Sequence, residues 1–170
     1  MKKILSVILA FTLCTGVLQI ANAQNTKAEK NAAKAAEMKT MLDSKKFTFI
    51  ANYAYPGYGG QRYLTPNYDV KVSQDTVVSY LPFMGVAYMG AGYNNSEDAG
   101  IKFTSTNFSY DLTAKKNGMY YLVIKPIGVK NVNQMIFNIA STGYADLVVL
   151  SNNRERMRFT GLVQQTETKK

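Results

Sequence analysis

The chain has 170 residues, one cysteine, no histidine and no tryptophan, and its 20 Lys and Arg against 11 Asp and Glu give a net charge of +9. Its lone Cys14 sits in an apolar leader, so the rest can build no disulfide framework, thiol nucleophile, Ser-His-Asp relay or zinc site of imidazole and thiolate. From Phe47 to Val163 ten basic residues face seven acidic ones, too even a balance for the clustered basic face that nucleic acid requires. No metal, cofactor or nucleic-acid partner is expected.

The chain opens with Lys2 and Lys3, an apolar run from Ile4 to Val17, and small residues at Ala21-Asn22-Ala23. These are the three parts of an export signal, so residues 1–23 read as a signal peptide and Gln24 as the mature N-terminus, in the periplasm or outside the cell. A membrane span needs roughly 20 apolar residues, and Thr12, Thr15, Gly16 and Gln19 dilute this run. Lipidation at Cys14 conflicts with bulky Leu13 before it and with the apolar Val17, Leu18 and Ile20 where a polar tether would begin.

Residues 24–46 form a charged leader, within which 26–44 predicts a helix: Lys, Glu and Ala alternate without Gly or Pro, and Ala28, Ala32, Ala35, Met38 and Leu42 recur in steps of three or four. Its stripe is thin, so only the turn with Met38, Met41 and Leu42 is expected to dock. Without Phe or Trp the helix would touch a membrane weakly.

After Asp43-Ser44-Lys45-Lys46 the period changes to two. Phe47, Phe49, Ala51, Tyr53 and Tyr55 alternate with Thr48, Ile50, Asn52 and Ala54, which predicts a first strand with one aromatic face. Pro56-Gly57-Tyr58-Gly59-Gly60 ends it. Tyr68–Val72 and Thr76–Leu81 flank Ser73-Gln74-Asp75 as a hairpin, and Phe108–Leu112 and Tyr120–Lys125 flank a second turn at Asn117-Gly118. Met135–Ala140, Ala145–Leu150 and Glu155–Val163 follow, and 164–170 is a polar tail. The fold class is mainly β, an antiparallel meander forming a sandwich or partly closed barrel over 47–163, preceded by one N-terminal α-helix.

The segments Tyr80-Leu81-Pro82-Phe83-Met84-Gly85-Val86-Ala87-Tyr88, Gly143-Tyr144-Ala145-Asp146-Leu147, Asn153-Arg154 and Phe159-Thr160-Gly161 resemble a family of exported Bacteroidota proteins, domain of unknown function forty-two fifty-one. The resemblance spans roughly residues 35–163. It implies a small, mostly β domain in a Gram-negative envelope and brings no catalytic residues with it.

Candidate binding residues are aromatic. Tyr53, Tyr55, Tyr58 and Tyr63 flank the Pro-Gly-Tyr-Gly-Gly turn, while Phe83, Tyr88 and Tyr93 lie among Gly85, Gly90 and Gly92. Tyrosine offers a flat face with a polar tip, and glycine lets a ligand near the backbone, a chemistry suited to a sugar or peptide. The plainer reading has Leu81, Phe83 and Val86 in the core with Gly85 at a bend. Arg154, Arg156 and Arg158 alternate, which places three guanidinium groups on one face of the last strand, either as an anion site or as a charged face guarding an edge, with Asp111 or Asp146 in reach.

Glu97 and Asp98 are adjacent acids of the kind glycoside hydrolysis uses in pairs, but nothing apolar near them would raise a carboxyl pKa. The expected function is therefore non-catalytic: an exported β domain that binds a small ligand, glycan or peptide through a Tyr- and Phe-rich end. The alternatives are an envelope structural or assembly factor acting on another envelope protein through a strand edge or the Arg row, and a carboxylate-dependent hydrolase.

Overall fold

The computed structural model describes residues 29–65, 67–88, 100–115 and 118–166. Residues 1–23, read above as a signal peptide, and Tyr93, Glu97 and Asp98 lie outside the described residues. A helix, α1, covers residues 29–43. Ten strands follow: β1 (Phe47–Tyr55), β2 (Arg62–Tyr63), β3 (Asp69–Val72), β4 (Val77–Pro82), β5 (Gly100–Ser105), β6 (Phe108–Ala114), β7 (Met119–Pro126), β8 (Gln134–Ala140), β9 (Tyr144–Leu150) and β10 (Met157–Gln165).

Every ladder is antiparallel, and the strand order is β5-β4-β3-β1-β10-β9-β8-β7-β6, with β2 added beside β1. The sheet curls into a nearly closed barrel. Phe47 and Phe49 of β1 meet Phe137 of β8 edge-on, at ring distances of 6.4 and 5.7 Å, although β10 and β9 stand between those strands in the sheet. Contact across that separation requires the inner faces to have turned toward each other. Edge-to-face is the geometry that aromatic quadrupoles favour.

How the barrel closes follows from counting. A path of nine antiparallel strands ends on two strands that run in the same direction, and those two, β5 and β6, are joined only by Thr106 and Asn107. They are two halves of one bent strand. Its first half pairs with β4 and its second with β7. The Ile127 N–H donates to the Asn107 carbonyl at 2.9 Å, carrying the β6–β7 ladder to the bend, and the buried Ser105 hydroxyl donates to the same carbonyl at 2.8 Å.

The last turn of α1 packs at one end of the barrel, near the β8–β9 turn and the end of β10. Met38, Met41 and Leu42 are buried, whereas residues 29–34 are exposed. The Tyr110 hydroxyl, on β6, donates to the Leu42 carbonyl at 2.7 Å. The helix stops where Lys45 takes a left-handed backbone (φ 55°), with Lys46 N–H bonded to the Met41 carbonyl and Lys45 N–H to the Leu42 carbonyl. This pair of bonds satisfies carbonyls that a helix end otherwise leaves open, and it turns the chain directly into β1.

Strand β1 departs from its expected alternation. Phe47, Phe49 and Ala51 point inward and are fully buried. The β1–β10 register then slips between Ala51, opposite Gly161, and Tyr53, opposite Thr160, so Asn52 is an extra residue. Such a bulge reverses the faces beyond it. Ala54 is buried, and Tyr53 and Tyr55 turn outward instead of continuing the Phe face. Strand β5, with Ile101 buried and Lys102 exposed, was not expected from the sequence, and β10 begins at Met157, two residues later than expected.

A Cβ at Gly161 would lie 1.9 Å from the Ile50 carbonyl oxygen, so Gly161→Ala must shift backbone, and a loss of at least about 1–3 kcal/mol is expected in urea unfolding. A loss near zero would show that the bulge does not press on Gly161. Burial, and then the charge of Asp43, push the Tyr110 hydroxyl well above its ordinary pKa of 10.0. The folded protein therefore keeps a proton that the unfolded chain releases, and stability present below about pH 10 falls as pH rises further. Tyr110→Phe should cost about 0.5–1.5 kcal/mol near pH 7, with the gap to wild type narrowing above pH 10; a gap constant from pH 8 to 11 would contradict this.

Candidate functional site

The barrel interior is filled. Across four ladders the inward row runs Ala54, Phe159, Leu147, Phe137 and Leu122, all fully buried. Because strand side chains alternate, the neighbouring rows face outward. One outward row carries Tyr53, Thr160, Asp146, Asn138 and Tyr121, and the next carries Tyr55, Arg158, Val148, Ile136 and Val123. Farther toward the helix end, Leu162 stands opposite Tyr144 and Ala140 opposite Met119.

These rows form a groove of about 500 Å³ on the outside of the barrel, between Tyr53 and Tyr63 on one side and Tyr144, Leu162 and Met119 on the other. The Asn52 bulge creates one wall. By turning Tyr53 outward it lets that ring meet Tyr63, from β2, edge-on at 5.5 Å. Tyr63 and Tyr144 are 70% and 69% exposed, while Ala140 and Gly161 leave room in the floor. Asn52, Asn138, Asp146 and Thr160 supply amide, carboxylate and hydroxyl groups among the rings. Lys115 Nζ reaches Asn138 Oδ1 at 3.5 Å and stands 4.8 Å from the Tyr121 ring centre.

A second cavity, of about 310 Å³, adjoins on the same face and is lined by Tyr55, Pro56, Gly57, Val148, Arg156 and Arg158. The Arg158 guanidinium donates through Nε and one Nη to the same oxygen of Asp146, at 3.0 and 2.6 Å, and lies 5.1 Å from the Tyr55 ring centre. Asp146 thus belongs to the groove and holds a side chain of the second cavity.

The candidate residues therefore do not form one lip. Tyr53 and Tyr63 line the groove, Tyr55 lines the second cavity, and Tyr58 (82% exposed), Phe83 and Tyr88 belong to connections outside both. Phe83 packs against the core and beneath Arg154, whose guanidinium carbon is 5.1 Å from the ring centre. The three-arginine face is also corrected. Arg154 precedes β10, bridges Ala87, is only 5% exposed and donates to the Gly100 carbonyl at 3.0 Å, leaving Arg156 and Arg158 as the outward pair. Val86, expected in the core, is half exposed, and its N–H donates to a Glu155 carboxylate oxygen at 3.0 Å.

Tyr144, Asn138, Asp146, Thr160, Leu162 and Asn52 were not anticipated as a set. Their outward parity on three successive strands was a usable signal; the inserted Asn52 that brings Tyr53 to them was not. Among the described residues no three His, Cys, Asp or Glu are grouped to hold a metal, and no helix is long and apolar enough to cross a membrane.

The model of the family described as "Domain of unknown function (DUF4251)" matches residues 29–163, from the first described turn of α1 into β10. The chain belongs to the DUF4251 family. A crystal structure of a DUF4251 family protein from Bacteroides eggerthii DSM 20697 is similar at 17% identity, with a TM-score of 0.58 over 79% of this chain and 89% of that one. At that identity the likeness concerns the fold. No curated protein matches.

Because Arg154 is enclosed and hydrogen-bonded whereas Arg156 is exposed, the two should differ in stability effect. Arg154→Ala is expected to cost about 1.5–3 kcal/mol, as for a lost charged hydrogen bond, and Arg156→Ala less than about 0.5 kcal/mol. Equal losses in urea unfolding would show that Arg154 is no part of the scaffold.

Proposed function

We propose that this DUF4251 protein is an exported, non-catalytic binding module that takes a saccharide in the groove between Tyr53, Tyr63 and Tyr144. The observation that carries the reading is the pairing of three outward tyrosines with Asn52, Asn138, Asp146 and Thr160 in one open groove. A pyranose ring presents C–H faces that rest on aromatic rings and hydroxyls that bond to amides and carboxylates at its rim. The groove lies on the face of the sheet, where main-chain groups are already used in ladders. A peptide recognised by strand addition would need those groups free, so side-chain recognition of a rigid ligand fits the site better. Export rests on the charged, apolar and small-residue parts of the leader through Ala23.

The assembly-factor alternative draws on one observation, the single ladder partner of β6, whose other edge is unpaired among the described residues. The Tyr110 side chain of that strand donates to the Leu42 carbonyl.

Nuclear magnetic resonance titration of the mature chain with a panel of neutral oligosaccharides tests the reading. Shifts should centre on Asn52, Tyr53, Tyr63, Asn138, Tyr144 and Thr160. Tyr63→Ala and Tyr144→Ala should each weaken binding by about tenfold, equivalent to 1.4 kcal/mol, while leaving stability within about 0.5 kcal/mol, as exposed positions usually do. Shifts confined to Tyr58 and Tyr88, or none with any sugar, would overturn the proposal.

A further inference from the structure

We infer that the saccharide is acidic, carrying one negative charge that sits between Arg156 and Arg158 in the cavity beside the tyrosine groove. The inference rests on the groove reading and names the chemical class of its ligand. The two cavities share a face and a hinge point. Thr160, Asp146 and Tyr53 line the groove, and one outward step along the same three strands lie Arg158, Val148 and Tyr55, which line the cationic cavity. Outward positions on a strand are two residues, about 6.5–7 Å, apart, so a ligand longer than one sugar ring spans both.

The cationic cavity is ordered by its own contacts. Arg158 is fixed from one side by the Asp146 oxygen and from another by the Tyr55 ring, which limits the rotamer freedom it would lose on meeting an anion. Arg156 is exposed and has no ion-pair partner among the described residues. Glu155, which precedes Arg156 in sequence, has one carboxylate oxygen accepting the Val86 N–H, and the group packs against Gly85 and against Gly57 at the margin of the cavity. The lining itself carries two guanidinium charges, partly offset by the neighbouring Asp146 and Glu155 carboxylates. That suits a monoanion, a carboxylate or a sulfate ester, better than a phosphate monoester, which carries close to two charges at pH 7. Val148 and Pro56 supply an apolar surface next to the cations, where water competes less with a charge-assisted bond.

Calorimetry with four probes tests this: a galacturonic acid tetramer, its fully methyl-esterified form, a sulfated galactose tetramer and the unsulfated tetramer. An acidic form should bind at least about tenfold more tightly than its neutral counterpart at 50 mM salt, with most of the advantage gone at 500 mM, where screening is strong. Preference for the uronate assigns the cavity to a carboxylate, and preference for the sulfated sugar to a sulfate ester. Arg156→Gln should remove about fivefold or more of the acidic affinity and leave the neutral affinity and the thermal midpoint unchanged. Neutral and acidic forms that bind equally, with shifts at Tyr63 and Tyr144, would overturn the acidic ligand while leaving the groove reading intact. An acidic preference that survives the Arg156→Gln, Arg158→Gln double variant would overturn the placement of the charge. If none of the four binds, both proposals fall.

Discussion

The structure depends on how an antiparallel sheet with an odd strand path closes. Nine antiparallel members bring β5 and β6 to the two margins running in the same direction, and Thr106 and Asn107 are too few to carry the chain across a barrel and back. The chain solves this by making β5 and β6 one strand, bent in the middle, that gives one half to β4 and the other to β7. Closure is covalent at the bend, and among the described residues each half is laddered on one side only. A row of unpaired main-chain groups invites association. The turn of α1 bearing Met38, Met41 and Leu42 packs at one end of the barrel, with Met38 and Met41 beside Ser141, Thr142 and Val163, and Tyr110 ties β6 to the Leu42 carbonyl.

A barrel closed this way around Phe47, Phe49, Phe137 and Phe159 holds side chains in its interior, and the groove beside Tyr53 and Tyr63 lies on its outer wall. There the Asn52 bulge has two effects from one inserted residue. It presses the backbone of β1 onto β10 at Gly161, and it rotates Tyr53 and Tyr55 from the core to the surface. Scaffold and site are thus coupled through a single irregularity. The loop end of the barrel is knit differently, by Arg154 on Gly100 and by side-chain amides: Asn153 donates to Asn131 at 3.0 Å, and Asn133 donates to Asn152. In the same region the Arg154 guanidinium lies over the Phe83 ring.

Much of the fold could be read from the sequence because it is written locally. The Ser73-Gln74-Asp75 turn forms with Ser73 N–H on the Thr76 carbonyl at 2.8 Å, and Gly118 has the positive φ of 75° expected of its turn. The exposure of α1 also follows its alanine-rich stripe. The site was less legible. A bulge has no fixed sequence signature, so Phe47 to Tyr55 read as one uninterrupted alternation, and extending the last strand back to Glu155 placed Arg154 with two arginines it does not join. The groove draws on β1, β2, β7, β8, β9 and β10, and which outward positions become neighbours depends on strand order, which period-two patterning does not encode.

The most direct measurement is residue-resolved amide hydrogen exchange on residues 24–170. If β5 and β6 are halves of one bent strand, each with one ladder, alternate amides in 100–105 and 108–114 will be protected and those between them will exchange quickly, while β1, β8, β9 and β10 stay protected throughout their paired lengths. Continuous protection along both β5 and β6 would mean that a further ladder closes the barrel, and would contradict the account.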